Sequence, residues 1–257
     1  MAFVTYYWNP QQLTEKPLRD AINILENSNS SKKDFRDALV LLLNSQNVYA
    51  YSIVFDQYSY SRTEMGNHRE EIFDDLEDKI LALARHELKQ PPIVQEIRPN
   101  SYLQGANHAS ALQVLWRCGV EADIALVIPY LANSSDSTVV ACACTAARYL
   151  LSESTQFYPD VFQAIRQILE SSQWNEAVKS EAVNILSYYP NLEAEKMLVQ
   201  IAQEQSYPMS GHAVLALLSQ QPEKYAQFAQ TIADQWPSDI HFPGMYVRQL
   251  LSEISAS

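Results

Sequence analysis

Six carboxylates fall within the eleven residues REEIFDDLEDK, Arg69 to Lys79: Glu70, Glu71, Asp74, Asp75, Glu77 and Asp78. A run that dense can hold a cation, move protons or face a basic protein, and its spacing limits the choice. On a helix, Glu70/Asp74, Glu71/Asp75 and Asp74/Asp78 are i,i+4 pairs that repel, each costing about 0.2–0.5 kcal/mol. Acids in a helix's first turn recover some of this from the N-terminal dipole, and Asp75 reaches Lys79 at i+4. The run therefore reads either as a solvated acidic face or as a docking surface for a basic protein. Tyrosine adds to the second reading. Six of the 15 tyrosines lie in the first 60 residues: Tyr6, Tyr7, Tyr49, Tyr51, Tyr58 and Tyr60. Tyr buries area at low entropy cost while keeping a polar tip, which suits an interface and equally a half-buried helical cap. The residues expected to meet a partner are Glu70, Glu71, Asp74, Asp75, Glu77, Asp78, Tyr58 and Tyr60.

Cysteine and histidine are the other chemical candidates. In DSTVVACACTAARYLL, Asp136 to Leu151, Cys142 and Cys144 are two residues apart. On a helix that is about 200° of rotation, so the thiols cannot share a metal or bond to each other without unwinding it. They read as small packing residues, as does Cys118 before Gly119. His86-Glu87 is the one His-Glu dipeptide among five histidines. A single such pair is too few donors for the dinuclear site of helical-repeat metal hydroxylases. His68, His108, His212 and His241 show no H-x-x-x-H spacing, and no G-x-S-x-G, G-x-x-x-x-G-K-[ST] or G-x-G-x-x-G is present.

These residues must be positioned by helices. Val140, Cys144, Ala147 and Leu151 form one stripe at helical spacing. Equivalent stripes begin at His108, Val178, Met209 and Val247, successive ones 31–38 residues apart. From Val140 onward each is preceded by another apolar helical segment: Asp123–Ala132, Val161–Glu170, Glu193–Gln203 and Pro222–Trp236. Helix pairs repeating at that interval predict a solenoid, in which neighbours share one elongated core. Gly119 is expected to close a helix in the left-handed conformation. Upstream, Leu18–Leu25 and Phe35–Leu42 carry stripes, with Pro17 in a first turn. NVYAYSIVFDQYSY, Asn47 to Tyr60, has strand-like composition but no sheet to join, so it reads as helix. His68 to Lys89 reads as one long helix with Ile72, Leu76, Ile80 and Leu83 inward. Gln90 to Ser101 reads as an interrupting loop.

From about Ala106 to Ser252 the chain resembles HEAT or armadillo-type helical repeats. The carrying segment is EADIALVIPYLANSSDSTVVACACTAARYLL: an acidic opener, an I-P-x-L helix, a polar turn with Asp, and a Val-led helix of small residues. In that family the Val is commonly followed by Arg, which ties repeats together. Lys179 after Val178 and Arg248 after Val247 match; Ala141 and Ser210 depart from the pattern. The resemblance implies protein binding on a rigid curved surface.

The formal charge of −12, with only 5 Gly among 257 residues, narrows the function further. Nucleic-acid binding rests on neutralising phosphates; residues 91–257 carry 16 acidic against 8 basic side chains, which argues against a helical-repeat DNA glycosylase. The amino-terminal MAFVTYYWNP lacks the pattern of a signal peptide, and no apolar run is long enough for a membrane span. The expectation is a single all-α domain over residues 1–257, a HEAT-like α-α superhelix with irregular N-terminal helices over 1–100 and helix pairs over 101–257. It is expected to be cytoplasmic and non-enzymatic, to use no cofactor, and to bind a basic protein but neither nucleic acid nor membrane. A toxin-neutralising immunity protein is the most specific version. The alternatives are a phycobiliprotein-associated HEAT-like lyase or chaperone, and a metal-dependent enzyme using His86 or the carboxylate run.

Overall fold

The computed structural model describes residues 13–27, 29–64, 72–98, 100–152, 154, 156–189 and 191–256. Among these, thirteen α-helices and one two-stranded sheet account for the regular structure, so the protein is all-α. The chain divides into two compact units: Met1–Tyr130 with Ser134–Leu150, and Leu131–Asn133 with Leu151–Ser257. No helix among the described residues is long and apolar enough to cross a membrane.

The first unit opens with α1 (Lys16–Glu26) and α2 (Lys32–Asn44). Their stripes, Leu18–Ala21–Ile22–Leu25 and Phe35–Ala38–Leu39–Leu42, are buried as expected. Ser31 caps α2 by accepting the Asp34 N–H at 3.1 Å. The ambiguous segment is helix: α3 runs Val48–Glu64, started by Asn47, whose Oδ1 accepts the Tyr49 and Ala50 N–H groups. Ala50, Ile53, Val54, Phe55 and Tyr58 are all buried, as befits a helix enclosed on most sides. Its main neighbour is α5 (Ala106–Cys118), which also packs on α4 (Glu77–Glu87).

Three expectations need correction in this unit. The helix expected over His68–Lys89 is broken: Asp74–Leu76 form a turn and α4 starts at Glu77. Ile72, Leu76 and Ile80 are nonetheless buried, whereas Leu83 is half-exposed and Ala84 takes the inner place. Gln90–Ser101 is not a loop. It contains β1 (Val94–Arg98) and the start of β2 (Ser101–Gln104), paired antiparallel around Asn100, whose φ of 62° suits the tight turn. Gln95 and its cross-strand partner Leu103 are buried, while Val94 and Tyr102 face solvent. Gly119 is extended, φ −65° and ψ 162°. Glycine is required there because a Cβ would lie 2.5 Å from the Leu115 carbonyl oxygen and 2.9 Å from Leu150. After α6 (Ile124–Asn133), Asp136 caps α7 (Ser137–Leu151) through the Thr138 N–H at 2.8 Å.

The second unit contains α8 (Pro159–Glu170), α9 (Glu176–Leu186), α10 (Leu192–Glu204), α11 (Met209–Gln220), α12 (Pro222–Ala233) and α13 (Gly244–Ala256). Asn175 and Asn191 cap α9 and α10, each accepting a backbone N–H three residues on. Successive helices pack in pairs, and α11 also touches α9 and α13, so the second helix of each pair meets the second of the next. The sequence stripes Val178–Leu186 and Met209–Leu217 are fully interior. Lys179 and Arg248 each bind carbonyl groups at the end of the preceding helix. Lys179 Nζ donates to Leu169 O at 3.1 Å, and Arg248 reaches the Ala233, Trp236, Pro237 and Ser238 oxygens.

Candidate functional site

The acidic run is only partly free for a partner. Asp75 sits in the turn before α4 and does not meet Lys79. It takes a two-point grip from Arg36 of α2, with Nη1 to Oδ1 at 2.6 Å, while the same nitrogen donates to Ile72 O at 3.1 Å. The pairing holds the Asp75 carboxyl below its ordinary range and raises Arg36. Lys79 instead donates to Asn44 Oδ1. Breaking the helix at Asp74–Leu76 is what turns Asp75 toward α2. Asp74 and Asp78 are exposed. Glu77 accepts the Tyr58 hydroxyl at 2.5 Å.

That bond corrects the expectation for Tyr58. The ring is completely buried, edge-on to Phe73 with centroids 5.4 Å apart, and presents no surface to a partner. Burial first, and the bond to Glu77 second, push its phenol far above the ordinary tyrosine range. Tyr58 anchors the α4 N-terminus to α3. Glu70 and Glu71 lie outside the described residues, as does the side chain of Tyr60.

At the other end of α4 lies a cavity of about 710 Å3 that the sequence did not announce. Its walls come from the start of α3, the last turn of α4, the Pro91–Ile93 segment and the first turn of α5, with Val48, Tyr51, Leu83, His86, Glu87 and Asn107 among its lining residues. Glu87 is 4% exposed. Its Oε2 receives one long hydrogen bond, 3.4 Å from Asn107 Nδ2, and the same amide donates to Pro91 O at 3.1 Å. Burial raises the Glu87 carboxyl above its ordinary range, against the smaller pull of Asn107 and His86. Tyr51 is raised too, by burial and then by the nearby Glu87 charge. Asn107 Oδ1 accepts the Ile93 N–H at 3.0 Å, and His108 Nε2 lies 2.9 Å from Gln90 O. These bonds fix the segment entering β1 against α5.

His86 and Glu87, the one pair considered for metal chemistry, both line this cavity. Among the described residues no group of three His, Cys, Asp or Glu is placed to hold a metal ion. Cys144 is buried on α7, Cys142 and Cys118 are half-buried, and none of the three is in a disulfide.

No model of a known protein family matches the chain, and no curated protein sequence matches it.

Proposed function

We propose that this protein is a non-enzymatic binding module that docks a basic protein through exposed carboxylates. The observation behind this is the unequal engagement of its charges. Residues 151–257 hold twelve acidic and five basic side chains. Four of the five cations are occupied at home: Arg166 on Glu170, Lys224 on Glu195, and Lys179 and Arg248 on backbone carbonyls. Glu176, Glu193, Glu204, Glu223 and Asp239 stand at the surface. In the first unit Arg85 and Arg36 are held by Asp123 and Asp75, while Asp74 and Asp78 face solvent. With these cations tied to neighbours and these carboxylates exposed, the surface is net negative, which speeds encounter with a positive partner and repels nucleic acid.

A toxin-neutralising immunity protein acting in the cytoplasm is the most specific form of this reading. A HEAT-like relationship for the helix pairs agrees with it, supported by the row α9–α11–α13. The test is capture from native extract on the immobilised protein at low and high salt, followed by identification of what is retained. Recovery of a basic protein that high salt releases is expected. Retention of only acidic or neutral proteins, insensitive to salt, would overturn the proposal.

A further inference from the structure

The cavity at the C-terminal end of α4 has a composition of its own. Its walls are mixed: Val48, Leu83 and the Pro91–Ile93 segment give apolar surface with Tyr51 beside them, and Gln90, Asn107 and His86 give polar surface around Glu87. Glu87 is the one acid among its lining residues, and no Lys or Arg lines it. A carboxylate has about four acceptor positions, and the hydrogen bond that Glu87 Oε2 accepts from Asn107 is long at 3.4 Å; the other N–H of that amide goes to the Pro91 carbonyl. Buried polar groups are normally well satisfied; Glu87, 4% exposed, keeps acceptor positions to spare at the wall of a space large enough for a small molecule. A neutral residue such as Gln could accept the same amide without carrying a charge that burial disfavours.

We propose that this cavity binds a small organic cation, an ammonium or guanidinium group carried on an apolar body, with Glu87 as its counter-ion. The ligand supplies donors to the buried carboxylate, the apolar stretches of wall cover its hydrocarbon part, and Tyr51 adds an aromatic face at the charged end. The site is distinct from the acidic turn at Asp74–Asp78. Glu77 and Glu87, at opposite ends of α4, are about 15 Å apart along the helix axis.

The experiment is isothermal titration calorimetry on the full chain with benzylamine, agmatine and the neutral isostere benzyl alcohol. Benzylamine is expected to bind with unit stoichiometry and about tenfold more tightly than benzyl alcohol, the difference one charge-assisted bond supplies. Glu87→Gln should remove that preference. Val48→Trp, which fills the cavity and leaves the carboxylate in place, should abolish binding of all three. Circular dichroism melting establishes that each variant is folded; if Glu87→Gln is not, Val48→Trp decides the matter. Equal affinity for benzylamine and benzyl alcohol, unchanged amine binding in either folded variant, or no binding of either amine overturns the proposal.

Discussion

Arg85 and Asp123, 38 residues apart in sequence, meet through two parallel hydrogen bonds, Nε to Oδ1 at 2.7 Å and Nη2 to Oδ2 at 2.9 Å. Asp123 is buried and also accepts the Val120 N–H at 2.9 Å. The pair thus clamps α4 to the short 3-10 turn that leads into α6. Removing Arg85 leaves the Asp123 charge without compensation in a poorly solvated place. Arg85→Met is expected to cost about 3 kcal/mol, read from the urea unfolding midpoint. The double change Arg85→Met with Asp123→Leu should recover most of the loss, because no charge is then stranded.

Arg248 closes the end of α12. Its guanidinium donates to Pro237 O at 3.0 Å and Ser238 O at 3.1 Å, with longer contacts to Trp236 and Ala233. These oxygens follow the last helical turn, where carbonyls lack intrahelical partners. Arg248→Met should lower stability by about 2 kcal/mol. Arg248→Lys should restore only part of it, since an ammonium cannot spread its donors over a planar fork. Thermal denaturation of the three proteins side by side makes the comparison.

Two buried groups give stability opposite pH slopes. Glu87 ionises near its ordinary value of 4.5 in the unfolded chain but holds its proton to higher pH in the folded one. Its contribution therefore falls as pH rises through that window and stays lower above it. His108 is the reverse: burial lowers it below 6.5, so the unfolded chain takes the proton first and stability falls as pH drops below that value. Glu87→Gln should be more stable than the parent at neutral pH and no more stable once pH is below 4.5. His108→Gln should flatten the acid-side decline beginning at 6.5. Urea midpoints measured across this range test both.

Gly119 tolerates no side chain. The Leu115 carbonyl that would meet its Cβ at 2.5 Å is backbone and cannot swing aside. Gly119→Ala should cost about 1–3 kcal/mol, the usual penalty for forcing extra volume into a packed site. A ligand-independent drop in melting temperature is the readout.

The helical stripes were legible because each is set by a local period: Val140, Cys144, Ala147 and Leu151 all point inward, as do Val178, Ala182 and Ile185. What local pattern could not supply was pairing over distance. Nothing near Asp75 announces Arg36, which lies 39 residues away, or the break at Asp74–Leu76 that brings the two together. Tyr58 looked like surface because Tyr is amphipathic; its position among the buried residues of α3 decides its burial, and Glu77 satisfies the hydroxyl. The β-hairpin escaped notice because Ile93 and Val94 follow Pro91-Pro92, which reads as a loop. Glu87 was visible beside His86, but its isolation inside a cavity depends on Asn107 and Pro91, supplied from outside α4.

In the second unit, each helix finds its main neighbours one or two elements away in the chain. Loops of that span close quickly, since the entropy lost grows slowly with length and contacts form between nearby segments. Order can accordingly spread hairpin by hairpin, α8–α9 providing the template on which α10–α11 and then α12–α13 settle. A nascent chain emerging from the ribosome could therefore fold this half progressively, without waiting for its last residues to be made.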